Sequence, residues 1–270
     1  MPPTEPKRPP LDLDRLAAAS WGRVQVVDSA PSTNVLVADR ARDGEAEGLV
    51  VAAEHQTAGR GRLDRTWVTP ARTALTCSVL LRPSHVPAER WSWLPLLVGV
   101  CVARAARRVG APAVLKWPND VLVGERKLAG ILLERLDTPD GPATVAGIGA
   151  NVAMTTAELP VPGATSLAIE GCRTDRTTLL LGLLEELGRS YAGWVDAGGD
   201  PGQGLRADYT ELCVTLGRPV RVEVAAGPPV EGVAEEVDAT GRLVVATDSG
   251  RTTLGAGDVV HVRAAHHPAE

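Results

Sequence analysis

The sequence predicts an α/β protein of the α+β kind: a mixed β-sheet domain flanked by helices, followed by a small β domain. Three features carry that reading. Up to about residue 214, apolar runs of strand length, such as Gly48 to Glu54, alternate with segments of helical spacing. One such segment, Trp91 to Val109, is apolar nearly all round, as expected of a helix buried on every side. After Gly217 the texture changes to five short β segments with glycine turns among them, the pattern of a small barrel.

Taken in order, residues 1–10 are proline-rich and polar and read as a flexible tail ahead of a main domain over 11–214. Leu11 to Trp21 places Leu13, Leu16 and Ala17 on one helical face. Arg23 to Val27 alternates as a strand. Ser32, closing the turn that begins at Ser29, caps a helix that reaches Ala41. Gly48 to Glu54 and Ala74 to Arg82 are strands, and Trp91 to Val109 is a helix ending at Gly110. Ala113 to Trp117 and Asp120 to Val123 are strands. Gly124 to Arg126 turns the chain into Lys127 to Arg135, which completes a hairpin, and Ala143 to Val152 returns as a strand. Met154 to Gly171 is an irregular connection. Thr178 to Val195 carries Leu180, Leu183, Leu184, Leu187, Tyr191 and Trp194 at helical spacing, a core stripe, and Leu205 to Cys213 is a last helix. The terminal domain, 215–270, contains Pro219 to Val224, Val230 to Val237, Leu243 to Thr247, Arg251 to Leu254 and Val259 to Val262.

Composition excludes several classes. A net charge of −5 argues against general coating of nucleic acid. No apolar run reaches the length needed to cross a bilayer, and the N-terminus lacks the apolar core of a signal peptide. Cys77, Cys101, Cys172 and Cys213 are widely spaced, which reads as reduced thiols in a cytoplasmic protein. His55, His85 and His261 show no metal-ligand spacing, and His266-His267 lies in the terminal segment. A Walker-type phosphate loop is absent, and Asp64 stands where a dinucleotide fingerprint would need its third glycine.

The chemistry gathers around Glu54 to Leu63, which ends in Gly59-Arg60-Gly61-Arg62. Glycine lets the backbone approach a ligand closely, and each arginine is a permanently charged fork suited to phosphate or carboxylate. By itself such a loop is also an ordinary solvated turn. Lysine usage adds to it. Lys7, Lys116 and Lys127 are the only lysines among 28 basic residues, and the last two sit in Lys116-Trp-Pro-Asn-Asp120 and Lys127-Leu-Ala-Gly130. A compact ammonium in a chain that otherwise uses arginine suits a point charge.

The order Gly-Arg-Gly-Arg, Lys-Trp-Pro-Asn-Asp, Lys127-Leu-Ala-Gly-Ile-Leu-Leu-Glu134, with Ser32-Thr33-Asn34 upstream and Gly147-Ile-Gly-Ala-Asn151 downstream, resembles the catalytic module of biotin protein ligases. The resemblance runs from about Ser32 to Arg263 and implies a class II synthetase-like biotin/lipoate ligase fold with an SH3-like barrel in the terminal domain. It implies activation of biotin with ATP and Mg²⁺ to biotinyl-5′-AMP, then transfer to a lysine of a biotin carboxyl carrier domain. By the same resemblance Ser32, Thr33, Asn34, Gln56, Gly59, Arg60, Gly61, Arg62, Lys127 and Gly130 bind biotin. Arg62, Trp67, Lys116, Asn119 and Asn151 meet the nucleotide, and Lys127, Arg62 and Asp120 are catalytic.

Several of these residues have plainer readings. Ser32 reads as a helix cap, Gln56 as a solvated strand end, Trp67 and Trp117 as core, and Lys127 as a surface lysine. Ala150 departs from the family pattern, where isoleucine is common. About 30 residues precede Ser32, too few for the helix-turn-helix of the repressor forms, so the expected form lacks that domain and binds no operator DNA. A homodimer through the catalytic sheet is a further implication, with no interface legible in the sequence. A lipoate or octanoate ligase or transferase of the same superfamily, and a non-enzymatic biotin-binding module, are the alternatives.

Overall fold

The structure, a computed structural model, describes residues 8–62, 65–225 and 227–261. Met1 to Lys7, Leu63, Asp64, Val262, Arg263 and the His266-His267 pair, all used in the sequence reading, lie outside the described residues. The main domain is built on a seven-stranded mixed sheet. Its strands are β1 (Arg23–Val27), β2 (Leu49–Ala53), β5 (Ala74–Leu81), β6 (Ala113–Lys116), β7 (Asp120–Val123), β8 (Arg126–Thr138) and β9 (Gly141–Asn151), in spatial order β1-β2-β5-β9-β8-β7-β6. Only β1 and β2 run parallel; the other pairs are antiparallel.

Every residue of β2 and β5 is buried, because helices cover both faces of the sheet. On one face lies α2 (Thr33–Arg42), whose Val37, Ala38 and Ala41 pack on Leu49, Val51, Leu80 and Val145. The larger core lies on the other face, where α3 (Leu94–Arg108), α4 (Arg176–Asp196) and α5 (Leu205–Leu212) pack together. Leu180, Leu183, Leu184, Leu187, Tyr191 and Trp194 of α4 are all buried, as their spacing predicts. The segment expected as one helix from Trp91 begins instead as a 3-10 turn, Ala88–Trp93, and α3 opens with Pro95 in its first turn. Proline is tolerated there because the first helical N–H groups have no partner within the helix.

The first helix is shorter than its pattern suggests. α1 spans only Leu13–Ala17, since Leu16 alone is buried and Leu13 faces solvent. Ser32 occupies the cap position of α2 with an extended backbone, yet its side chain makes no capping hydrogen bond. Its hydroxyl is thereby left for other partners.

The terminal domain is a five-stranded antiparallel sheet. β10 (Pro219–Glu223), β11 (Val230–Val237), β12 (Leu243–Thr247), β13 (Gly250–Leu254) and β14 (Asp258–His261) lie in the order β13-β12-β11-β10-β14. Among the described residues no pairing joins β13 to β14, so the expected barrel is not closed by hydrogen bonds. The sheet nevertheless has to curl. Gly255 to Gly257, which join Leu254 to Asp258, reach about 14 Å when extended. A flat sheet would separate the two edges by four strand spacings, about 19 Å.

Arg8 to Pro10 belong to the segment expected to be a flexible tail, and here the structure differs. Arg8 pairs with Glu158 at 2.6 Å, and the Pro9 carbonyl accepts from Arg176 at 2.8 Å. Glu54, at the base of the Gly-Arg segment, accepts the Leu11 N–H at 2.7 Å and the Arg176 guanidinium at 2.6 Å. Both side chains of that ion pair are 5% exposed. Removing one member strands a charge in a dry setting. Arg176→Ala is therefore expected to cost about 3 kcal/mol, read by chemical denaturation. A midpoint equal to wild type would mean that Arg72, 3.6 Å from Glu54, takes over the pairing.

Candidate active site

A cavity of about 430 Å³ opens over β8 and β9. Its floor is paved with glycine. Gly147, Gly149 and Asn151 occupy alternate positions of β9 and share one face, spanning about 13 Å. Gly130 of β8 pairs with Gly149. Each missing side chain is occupied by a neighbour. A Cβ on Gly147 would collide with the Asn34 amide, and one on Gly149 would lie 2.5 Å from the Trp67 indole. One on Gly130 would lie 3.3 Å from Lys127 Nζ. Three stations follow along the floor: Asn34 over Gly147, Trp67 over Gly149 with Lys127 beside it, and Asn151 at the far end.

The first station is a chain of polar contacts. The Thr33 backbone N–H donates to Gln56 Oε1 at 2.8 Å, and the Thr33 hydroxyl lies 2.7 Å from Ser78 Oγ. Ser78 donates to Asn34 Oδ1 at 2.6 Å, and Asn34 Nδ2 donates to Glu134 Oε2 at 2.6 Å. Ser32, Thr33, Asn34 and Gln56 are buried against the cavity. The sequence places them together because the start of α2 and the end of β2 meet through an isolated bridge, Ala30 to Gln56.

The middle station is cationic. Lys127 Nζ lies 2.6 Å from Asp120 Oδ1. The two are brought together by the β7–β8 hairpin, whose register shifts by a bulge between Val121 and Leu122. Such a bulge re-aims a side chain beside a site. Arg62 Nη1 donates to Asn119 Oδ1 at 3.0 Å, and Asn119 is fixed in turn by donating to the Ile131 carbonyl at 2.9 Å. Burial pulls the pKa of the Arg62 guanidinium below its ordinary value, opposed by the charges of Asp120 and Asp258. A desolvated cation with incomplete compensation is poised for an anion.

At the far end Asn151 is buried. Its Nδ2 donates to the Thr165 carbonyl at 2.9 Å, while Oδ1 has no partner among the described residues. Trp67 Nε1 is likewise buried and, among the described residues, unpartnered. Unsatisfied polar atoms in a native cavity call for a ligand or water.

The Gly-Arg segment, read from the sequence as a loop, contains a short ribbon: β3 (Gly59–Arg60) pairs with β4 (Thr66–Trp67). Arg60, Gly61 and Arg62 line the cavity, but Gly59 does not. Gly59 is needed for the ribbon, where a Cβ would run into the Trp67 carbonyl and approach Gln56 Nε2 at 2.8 Å. Lys116 also lies outside the cavity lining. It stands on β6 near His261 of β14, whose imidazole pKa is lowered by burial and then by the charges of Lys116 and Arg218. Trp117 is fully buried and donates to the Gly241 carbonyl, which anchors the terminal sheet.

Four contributors were not singled out from the sequence: Ser78, Glu134, Arg65 and Asp258. Ser78 had a signal, being a hydroxyl in a strand buried on both faces. Arg65 and Asp258 had none, since they pair only through the fold, between the ribbon and the terminal sheet.

Trp67 depends on the glycine floor. In Gly149→Ala the new methyl would displace the indole and narrow the cavity. Overpacking of this kind costs about 1–3 kcal/mol, so affinity for a ligand seated against the indole is expected to fall about tenfold or more. Titration calorimetry with ATP and the Trp67 contribution to fluorescence test it. Wild-type affinity in the variant would show that the indole position is immaterial.

Comparison with known proteins places this architecture. Residues 26–152 match the biotin/lipoate A/B protein ligase family and residues 215–262 the biotin protein ligase C-terminal domain. The chain belongs to the biotin protein ligase family. It is 40% identical to a biotin–[acetyl-CoA-carboxylase] ligase of Mycobacterium tuberculosis, over 95% of this chain and 97% of that protein. It is 33% identical to the bifunctional ligase/repressor BirA of Escherichia coli, over 86% of this chain and 72% of that protein. The structure of a biotin protein ligase from Aquifex aeolicus in complex with biotin and ATP superposes with a TM-score of 0.73 at 26% identity, covering 90% of this chain and 99% of that one.

Proposed function

We propose that this chain is an ATP-dependent, AMP-forming biotin–[acetyl-CoA-carboxylase] ligase. The observation that supports it best is the three-station floor. A polar pocket at Thr33 and Asn34, an ammonium at Lys127, and the buried acceptor of Asn151 succeed one another in the order of a ureido ring, an acyl-phosphate junction and a purine. In the first step a biotin carboxylate oxygen bonds to the α-phosphorus of ATP, and the bond to the β-phosphate oxygen breaks, releasing pyrophosphate. Lys127 and Arg62 meet the charge that grows at the phosphorus. Preorganised charge of this kind counts for most where water is excluded. In the second step the amine of an acceptor lysine attacks the acyl carbon, and AMP leaves. Asp120, which pairs with Gly130 across the hairpin and holds Lys127 at 2.6 Å, orients the incoming amine. Asn151 Oδ1 accepts from the adenine amino group, and Trp67 packs on the adenylate.

Mg²⁺ would accompany ATP. Among the described residues no cluster of three His, Cys, Asp or Glu side chains could hold a metal. The oxygens available are those of Asp120 and Asn119, which fits an ion held mostly by phosphates and water. When bound it neutralises phosphate charge.

The acceptor we infer is the biotin carboxyl carrier domain of an acyl-CoA carboxylase. A cytoplasmic location is supported by four free cysteines, none paired. No described helix is long and apolar enough to cross a membrane. A homodimer is supported by β8, which outruns β7 and leaves Leu132 to Thr138 with one unpaired edge among the described strands. Biotin-dependent exchange of pyrophosphate into ATP tests the function. Exchange driven by lipoate or octanoate instead would favour the related ligases, and biotin binding without exchange would favour a binding module.

A further inference from the structure

We infer that Glu134 is a positioning residue that sets the donor direction of the biotin pocket and ties the Gly-Arg ribbon to it. The inference rests on the function proposed above and concerns how its first station is built. Glu134 lies on β8 and makes two contacts with the site. It accepts from Asn34 Nδ2 at 2.6 Å, and its other oxygen lies 3.8 Å from the Arg60 guanidinium.

The first contact fixes a proton order. An ionised carboxylate can only accept. The Asn34 amide must therefore turn its NH₂ towards Glu134, where it also meets the Leu132 carbonyl at 3.4 Å. Its oxygen is left facing Ser78. The Ser78 proton goes to that oxygen, at 2.6 Å, so Ser78 Oγ can only accept from Thr33, at 2.7 Å. Thr33 has one hydroxyl proton and two acceptors in reach, Ser78 Oγ and, at 3.0 Å, Gln56 Oε1. The shorter contact takes it, and Gln56 Oε1 keeps the Thr33 backbone N–H. What Thr33 Oγ1 then offers the cavity is lone pairs, an acceptor for a ligand N–H. A carboxylate separated from the ligand by three side chains, Asn34, Ser78 and Thr33, thus selects a ligand that donates at this point, as a ureido ring does.

The second contact joins this chain to the ribbon. Arg60 leaves β3 beside the cavity and finds Glu134 as its carboxylate. The pair is too exposed to stabilise the fold much. Its consequence is placement, since the ribbon over the cavity and the amide beneath it then share one anchor.

Glu134→Ala and Glu134→Gln separate the two contacts. Alanine removes both. Glutamine keeps an acceptor for Asn34 but carries no charge for Arg60, and its amide can also turn its NH₂ towards Asn34. In steady-state exchange assays the alanine variant is expected to raise KM for biotin about tenfold, the usual effect of losing a charge-assisted hydrogen bond. KM for ATP and the melting temperature stay at their wild-type values. The glutamine variant falls between the two for biotin. In both variants trypsin cuts after Arg60 faster than in wild type. An unchanged biotin KM in Glu134→Ala overturns the inference. So does a parallel rise of both KM values with a lowered melting temperature, which would make Glu134 merely structural. The wild-type exchange rate in the same assay decides the proposed function separately, so an active parent with an indifferent variant counts against Glu134 alone.

Discussion

Lys127→Ala is expected to slow biotin-dependent ATP–pyrophosphate exchange by about 10²–10³-fold, the range for removing one preorganised group aimed at developing charge. The fold should survive. Lys127 stands on a hairpin strand with about a third of its side chain exposed, and its partner Asp120 also reaches solvent. Removing the ammonium therefore strands no deeply buried charge. The reason for a large kinetic effect is place. Lys127 Nζ lies over Gly130, the one floor position where a side chain would have met it, and beside the Trp67 station. A negatively charged ligand there would draw the ammonium from Asp120 to itself. Lys127→Arg is the informative companion, because a planar fork cannot replace a compact point charge. It should remain slow while keeping the net charge. Exchange at the wild-type rate in purified Lys127→Ala would remove Lys127 from the chemistry.

Arg62→Ala is expected to weaken binding of biotinyl-5′-AMP by about 10–100-fold and binding of biotin alone far less, on the energies of charge-assisted hydrogen bonds. Arg62 is already partly desolvated, and among the described residues its side chain has only the oxygen of Asn119 as a hydrogen-bond partner. The cost of burying it is met before any ligand arrives, so an anionic phosphate gains nearly the whole contact. Arg60 is more exposed and pairs with Glu134, so its loss should matter less. Because Gly61 and Arg62 sit beside each other over the cavity, ligand should also shield the peptide bond after Arg62 from trypsin. Isothermal titration with the adenylate and with biotin measures the difference. Equal losses for the two ligands, or equal cleavage rates with and without them, would show that Arg62 does not read the phosphate.

Much of the fold was legible because its elements carry strong local patterns. α4 has a leucine stripe at helical spacing, β2 is a continuous apolar run, and the terminal domain has five short strands between glycines. Local pattern was weaker where tertiary contacts decided. α1 stops at Ala17 because only Leu16 finds a core to enter, something periodicity cannot know. The 3-10 turn before α3 and the β3–β4 ribbon are too short to show any period.

The candidate site divides along the same line. The sequence by itself determined which chemical groups this protein can bring to bear: two scarce lysines, a Gly-Arg-Gly-Arg run, and asparagines at Asn34, Asn119 and Asn151, in an order that a family shares. Only the tertiary structure decided which of them meet. It brought Lys127 to Asp120 through a bulged hairpin and set Trp67 on Gly149 across 82 residues of chain. It left Gly59 to the ribbon and Lys116 to the face of the terminal sheet, and it recruited Glu134, which ends the Lys127 motif but had no role read for it, and Ser78, Arg65 and Asp258, which no motif marks. The physical reason is that side-chain chemistry is a property of single residues, whereas distance, desolvation and the direction of a proton are properties of pairs. Those pairs exist only once the sheet has placed its strands side by side.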